Sequence, residues 1–118
     1  MHSKAYEQTL SRVRELCLAL PETREVEAWG HPTFRAGKKM FAAFGQDGPD
    51  LTIGFKVGHE RQAILLKDER FYPTPYAARQ GWVSLYLDKN TDWQELQGLV
   101  REAYEQVALK RMMKALES

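Results

Sequence analysis

Hydrophobic residues near the N-terminus recur at the spacing of one helical face. Charged residues occupy most positions between them, so residues 4–20 are expected to form an amphipathic helix. Ser3 is placed to cap its start, and Pro21 ends it because the residue before a proline avoids helical geometry. The apolar positions are Tyr6, Leu10, Val13, Leu16, Cys17 and Leu20.

Four segments further along have the pattern of β-strands. They are residues 32–36, 39–44, 51–57 and 82–87. Apolar and polar residues alternate most regularly from Leu51 to Val57. Glycine-containing turns separate the first three segments, so these are expected to pair as an antiparallel meander. Residues 22–30, which precede them, are interpreted as a charged connector.

Two further helices are predicted in the second half of the chain. Residues 59–68 favour a short helix, and a long amphipathic helix is expected from Trp93 to about Leu116. Thr91 and Gln94 fit a capping box at the start of the long helix, since their side chains would satisfy each other's backbone.

The apolar stripes of the helices and the apolar faces of the strands fit one arrangement. Helices on one face of an antiparallel sheet bury both sets of residues. We therefore predict an α+β fold in which about four antiparallel strands, a three-stranded meander plus one, pack against N- and C-terminal helices. No linker composition interrupts the chain, so residues 1–118 are expected to form a single domain.

The opposite face of this sheet differs in character. It is expected to carry Arg35, Thr52, Gly54, Lys56, Trp82, Ser84 and Tyr86. A polar face with interspersed aromatic residues is either solvated or a binding surface.

Composition excludes several classes of protein. Lysine and arginine number 17 and aspartate and glutamate 16, which gives a net charge of +1, and 43% of the residues are hydrophobic. These values exclude an intrinsically disordered chain, and the single cysteine, Cys17, excludes a disulfide scaffold and is expected to be a small buried hydrophobe. No apolar run could span a bilayer or serve as a signal peptide, so no membrane partner and a cytoplasmic location are expected.

The sequence contains no recognisable catalytic or metal-binding motif. Phosphate-binding glycine loops, paired CxxC motifs and HExxH are all missing from it. The three histidines, His2, His31 and His59, are far apart and have no carboxylate or cysteine at metal-ligand spacing. We therefore predict no catalytic residue, metal or cofactor, and a non-enzymatic protein.

Positive charge is concentrated on the first predicted hairpin. Residues 28–46 contain Arg35, Lys38 and Lys39 and no acid, and Lys56 on the third strand is expected to join them. Such cations could contact nucleic-acid phosphates. Alternatively, the lysines are solvated turn residues that keep an edge strand from pairing with other chains, which the residues alone favour.

An aromatic, proline-stiffened loop precedes the last strand. Residues 70–81 are expected to be ordered, with one helical turn at 76–80. A candidate aromatic groove for a peptide, protein or small molecule is formed by His31, Tyr76, Arg79, Trp82 and Tyr86. Arg79 would stack on Trp82. The alternative is a packed loop that closes one end of the sheet.

The order of these motifs resembles the MmcQ/YjbR-like family of small bacterial proteins over roughly residues 8–116. The motifs are Leu20-Pro21, Trp29-Gly30-His31-Pro32-x-Phe34-x-x-Gly37-Lys38-x-x-Phe41, Leu51-Thr52-Ile53-Gly54-Phe55-Lys56, Tyr76, Gly81-Trp82-Val83 and the final helix.

The resemblance implies an α+β fold with a double-wing arrangement reminiscent of DNA-binding proteins. It therefore implies a non-enzymatic, DNA-binding protein that acts through basic β-hairpin wings. The alternative is a protein- or peptide-interaction module that uses the aromatic sheet face. Nucleic acid and another protein are thus both open as partners.

Overall fold

In the computed structural model, which describes residues 2–118, helices and strands combine in an α+β fold. The helices are α1 (Lys4–Leu18), α2 (His59–Leu65), α3 (Trp93–Val107) and α4 (Lys110–Glu117). The strands are β1 (Thr23–Ala28), β2 (His31–Ala36), β3 (Lys39–Asp47), β4 (Asp50–Lys56), β5 (Phe71–Pro73) and β6 (Trp82–Leu87). The predicted helical turn before β6 is a short 3₁₀ helix over Ala78–Gln80.

The strands form one antiparallel sheet with the order β1-β2-β3-β4-β6-β5. The expected meander of β2, β3 and β4 is present, and β6 pairs with β4 as the additional strand. The expectation of about four strands is wrong, since the described residues form six.

The two strands missed by the prediction lie at the edges of the sheet. The sequence of β1 has the character of a charged connector, because an edge strand needs little apolar surface and this one contains Arg24, Glu25 and Glu27. β5 has three residues and ends at Pro73, a residue that strands tolerate at edges. Both strands therefore lack the alternation that identifies a half-buried strand.

Helices α1 and α3 pack on one face of the sheet, as predicted. The core between them is fully closed to solvent at Val13, Phe34, Phe44, Ile53, Phe55, Leu96 and Val100. Tyr104 of α3 is also fully buried, and its hydroxyl donates a 2.7 Å hydrogen bond to the Pro21 carbonyl. Cys17 is fully buried as expected, and burial raises the pKa of its thiol.

The predicted long final helix is two helices. Ala108 and Leu109 are extended between α3 and α4. After this turn, Met112 of α4 is fully buried in the core. Met112 lies against the β2–β3 turn, where a Cβ added to Gly37 would be 3.0 Å from the Met112 Cε. Sequence periodicity does not encode this packing across the fold.

Helix capping agrees with the prediction at α1 and differs at α3. Ser3 Oγ accepts a 3.1 Å hydrogen bond from the Tyr6 amide, so the predicted cap is confirmed. At α3 the cap is Asp92, whose Oδ1 accepts from the amides of Gln94 and Glu95. The predicted Thr91 capping box is wrong, because the Thr91 hydroxyl accepts from the Asp88 amide.

None of the helices in the described part of the chain combines the length and apolar character that a membrane crossing requires.

Candidate binding groove on the open sheet face

The face of the sheet turned away from α1 and α3 is called the open face. Strand register arranges its residues in three rows across the strands. The first row, at the end where β2 turns into β3, contains Arg24, Arg35, Met40, Lys56 and Trp82. The middle row contains Val26, Thr33, Ala43, Gly54, Ser84 and Tyr72. The third row contains Ala28, His31, Gly45, Thr52 and Tyr86.

A cavity of about 910 Å³ lies over the middle and third rows. Its floor is formed by small residues, namely Ala43, Gly45, Gly54 and Ser84. Short side chains leave the centre of the sheet lower than its surroundings, which is why a hollow forms there. The volume falls within the roughly 300–1,000 Å³ typical of ligand pockets.

Aromatic rings form the sides of this cavity, which we call the aromatic groove. They belong to Trp29, His31, Tyr72, Tyr76 and Trp82. Trp82 is only 8% exposed and is therefore a packed wall. Tyr72 stacks on Tyr86 at the margin, with 4.8 Å between ring centroids. Trp29, at 83% exposure, and the fully exposed Tyr76 are the free rings at the rim.

Trp29 occupies an unfavourable position in the β1–β2 hairpin. Ala28 pairs with His31, so Trp29 and Gly30 form a two-residue turn. Their φ angles of 53° and 78° match a type I′ turn, in which the first central residue is usually asparagine, aspartate or glycine. A tryptophan with left-handed backbone geometry costs about 1–2 kcal/mol. The Trp29 side chain is 83% exposed, so packing against residues 2–118 can offset little of this cost.

Tyr76 repeats this arrangement in the loop before β6. The Ala77 amide donates a 3.2 Å hydrogen bond to the Thr74 carbonyl, and Pro75 precedes Tyr76. With a φ of 65°, Tyr76 takes the third position of a type II turn, which favours glycine or asparagine. Both exposed rings of the groove are therefore held by strained backbone.

A third non-glycine residue with left-handed geometry, Glu22, has compensating contacts. Its φ is 56°, its carbonyl accepts a hydrogen bond from the Gly37 amide, and its carboxylate pairs with Arg111 at 2.8 Å. Among residues 2–118, no side-chain hydrogen bond of this kind involves Trp29 or Tyr76. Strain at such positions is characteristic of functional sites.

The groove contains neutral hydrogen-bonding groups beneath the rings. The hydroxyls of Thr74 and Ser84 are 2.8 Å apart, and the Tyr86 hydroxyl donates to Asp47 at 3.3 Å. Burial, followed by the neighbouring Tyr86, raises the pKa of Tyr72. The groove can therefore hold a planar apolar group and bond to its polar edge.

Cations gather beside the groove, at the end of the sheet that carries the first row. Arg24, Arg35 and Lys56 lie in that row, and Lys38 and Lys39 lie at the adjoining β2–β3 turn. Both lysines at the turn are exposed. The Arg35 Nε is buried and has no hydrogen-bond partner among residues 2–118. These side chains form what we call the cationic end.

Carboxylates near the cationic end are turned away from it. Glu25 alternates with Arg24 along β1 and binds Arg14 of α1 at 2.6 Å, on the opposite side of the sheet. Asp47 and Asp50 pair with each other at the far end of β3 and β4. At about 3.3 Å per strand residue, Asp47 lies roughly 26 Å along β3 from Lys39. The open face is thus polarised from cationic to acidic.

The predicted site residues fall into two groups that share this face. Arg35, Lys38, Lys39 and Lys56 lie at the cationic end, while His31, Tyr76 and Trp82 line the aromatic groove and Tyr86 lies at its margin. Arg79 does not line the cavity. It belongs to the 3₁₀ helix, where its carbonyl contacts the His59 Nε2 at 2.6 Å.

The predicted stacking of Arg79 on Trp82 is absent. The cation–π contacts within residues 2–118 are Arg12 over Trp93 and Arg70 over Phe71.

Two groove residues, Trp29 and Tyr72, were missed. The segment around Trp29 has the composition of a connector. The signal for a turn is the tryptophan directly before Gly30, since these two residues join β1 and β2. Tyr72 belongs to the short strand β5, for which sequence offers little evidence. Within residues 2–118, no group of three histidine, cysteine, aspartate or glutamate side chains is arranged to hold a metal ion.

Comparison with known proteins identifies relatives of the whole fold. The family model described as YjbR matches residues 18–106, about three quarters of the chain. A Deinococcus radiodurans protein with a DUF419 domain is 24% identical and has a TM-score of 0.74, over 92% of this chain and 87% of that one. A Pseudomonas syringae protein is 17% identical with a TM-score of 0.65, over 89% and 98% respectively. At these identities the two structures establish the fold alone. No curated protein matches the chain.

Proposed function

The chain belongs to the YjbR family, and we propose that it binds DNA without catalysing a reaction. Phosphates are bound by Arg35, Lys38, Lys39 and Lys56 at the cationic end. The observation that carries the proposal is the separation of these cations from the carboxylates of the same sheet.

Charge separation supports binding because phosphate contacts depend on local rather than total charge. The net charge of +1 would give little attraction if both signs were mixed. Here Glu25 is neutralised by Arg14 on the other face, and Glu22 by Arg111. A polyanion approaching the β2–β3 turn therefore meets cations whose charge is not cancelled by neighbours in the same row. Such contacts supply the sequence-independent part of DNA binding.

The alternative, a protein- or peptide-interaction module on the aromatic sheet face, is favoured by the exposed rings of Trp29 and Tyr76. Its expected contact residue Trp82 is buried, which removes part of the platform on which the alternative depended. An apolar peptide site also gives no role to the adjacent cations. DNA binding gives a role to both the exposed rings and the adjacent cations, so we favour DNA binding over peptide binding.

The test measures fluorescence anisotropy of labelled DNA, about 12 nucleotides long, as duplex and as single strand. At about 50 mM salt we expect binding in the micromolar range, the usual strength of phosphate-dominated contacts. The double variant Lys38→Gln/Lys39→Gln should weaken it about ten-fold, as expected when two phosphate contacts are lost.

The matched control is Lys67→Gln/Lys89→Gln, which removes the same charge from exposed lysines outside the cationic end. It should retain nearly the affinity of the unmodified protein. Absence of binding to either DNA at tens of micromolar protein, or an equal loss in both double variants, would refute the proposal.

A further inference from the structure

Resting on the proposed function, we propose that the aromatic groove binds unpaired bases, so that single-stranded DNA is the preferred ligand. Bases stack on Trp29 and Tyr76 while the sugar–phosphate backbone runs toward the cationic end. This assigns a ligand class to a cavity to which the proposed phosphate contacts give no role.

Two exposed rings, those of Trp29 and Tyr76, stand at the rim of the groove. Planar surfaces that stand free in solvent are what nucleobases stack on, and such stacking tolerates any base sequence. Trp29 and Tyr76 lie on two separate turns, yet both line one cavity. Each keeps its ring exposed by means of a backbone geometry that its residue type disfavours. Two independent occurrences around one groove indicate a shared role.

The depth and chemistry of the groove are the second argument. The floor of small residues lowers the surface between the rings, which gives a flat group space beneath the rim. The hydroxyls of Thr74 and Tyr72 line the groove and are neutral hydrogen-bonding groups suited to the edge of a base. Asp47 lies at the end of the groove away from the cations, where it would repel phosphate and thus orient the strand.

The distance between groove and cations is the third argument. Ala43 and Gly54 of the floor belong to the row next to Arg35 and Lys56. Two residues along a strand span about 6.6 Å, so the floor of the groove and the cations of the first row are direct neighbours. A base in the groove thus brings its own or the next phosphate to the cations. In duplex DNA the bases are paired and stacked, so the same rings could not reach them.

The test compares a single strand of thymidines, about 12 nucleotides long, with a strand of equal length in which every base is replaced by an abasic site. Both carry the same phosphates. We expect the thymidine strand to bind at least five-fold more tightly, since stacking accounts for such a difference per base. Trp29→Asn and Tyr76→Asn should each remove much of this advantage while leaving affinity for the abasic strand unchanged.

The matched control is Leu109→Asn, which replaces another exposed apolar residue at a helix cap outside the groove. It should bind both strands as the unmodified protein does. Stacking on Trp29 should also quench tryptophan fluorescence with thymidine and not with abasic strands. The signal reports on Trp29 because Trp82 is buried and the Trp93 ring is covered by the Arg12 guanidinium.

The outcomes separate this inference from the proposed function. Equal binding of both strands, with the loss in Lys38→Gln/Lys39→Gln intact, would overturn base binding and leave phosphate binding standing. Tight binding of an apolar peptide that is lost in Trp29→Asn, together with no preference for thymidine over abasic DNA, would also overturn it. Absence of any DNA binding would overturn both.

Discussion

Trp29 and Tyr76 illustrate, at the scale of single residues, a conflict between stability and surface chemistry. Each has a bulky ring at a turn position where asparagine or glycine fits the backbone better. Residues of this kind persist when the exposed side chain itself is useful. The groove would keep its floor without them and lose its free rings.

A stability measurement tests this conflict directly. Trp29→Asn and Tyr76→Asn should each raise the free energy of unfolding by about 1 kcal/mol, because asparagine tolerates left-handed backbone. Urea denaturation followed by circular dichroism gives the midpoint and slope, and the slope should stay constant.

Tyr86→Asn serves as the control for these two variants. Tyr86 is also partly exposed, yet it lies in a regular strand, where asparagine is unfavourable. The Tyr86→Asn substitution should therefore lower the free energy of unfolding. If asparagine destabilises positions 29 and 76 as well, the rings make compensating contacts and the conflict does not exist.

The sequence places most residues of the groove and of the cationic end on the open face, misplaces Arg79 and gives no indication of Trp29 and Tyr72. Arg35 and Lys56 could be placed on one face because strand alternation is strict. Arg79 could not, since a single turn of 3₁₀ helix has no periodicity to read. Trp29 could not be placed in a turn because the sequence of the neighbouring strand β1 has the character of a connector. A turn residue is recognised only when the strands on both sides of it are recognised.

At the scale of elements, alternation predicted the strands that have one face in the core. β2, β3, β4 and β6 carry apolar residues such as Phe34, Ile53 and Val83 on that face. The edge strands β1 and β5 need no such pattern and were therefore absent from the prediction. Periodicity also gives no sign of the break between α3 and α4, after which Met112 packs against Gly37 from across the fold.

Strand β3 contributes Ala43 to the floor of the groove. A larger side chain at this position should separate groove binding from phosphate binding. Ala43→Leu introduces a larger apolar side chain on the open face, where Ala43 is partly exposed. We expect single-stranded thymidine DNA to bind several-fold more weakly, while duplex and abasic DNA bind as before. Anisotropy titrations of the three ligands measure this.

Ala63→Leu is the matched control, since Ala63 is an exposed residue of α2 and does not line the groove. It should leave all three affinities unchanged. A loss of duplex binding in Ala43→Leu equal to the loss for the thymidine strand would mean that the substitution disturbs the sheet rather than occupies a base site.

At the scale of the whole molecule, nearly equal numbers of positive and negative residues conceal a directional arrangement of charge. The net charge of +1 provides little long-range attraction for DNA, so association should not be steered as it is for strongly basic proteins. Within the open face, however, cations and carboxylates lie at opposite ends of β3 and β4. Binding should therefore be local, modest in strength and sensitive to salt.

The salt dependence follows from the number of phosphates contacted. Four phosphate contacts would give a slope of log affinity against log salt of about −2.8 for a single strand and about −3.6 for a duplex. The four cations that make them are Arg35, Lys38, Lys39 and Lys56. Lys38→Gln/Lys39→Gln halves the number of contacts, so the single-strand slope should fall to about −1.4.

Trp29→Asn removes no charge and should lower affinity at every salt concentration without changing the slope. Titrations at four or more salt concentrations distinguish parallel lines from converging ones. A slope near zero would contradict phosphate binding, and a slope altered by Trp29→Asn would mean that the ring acts on the phosphates rather than on a base.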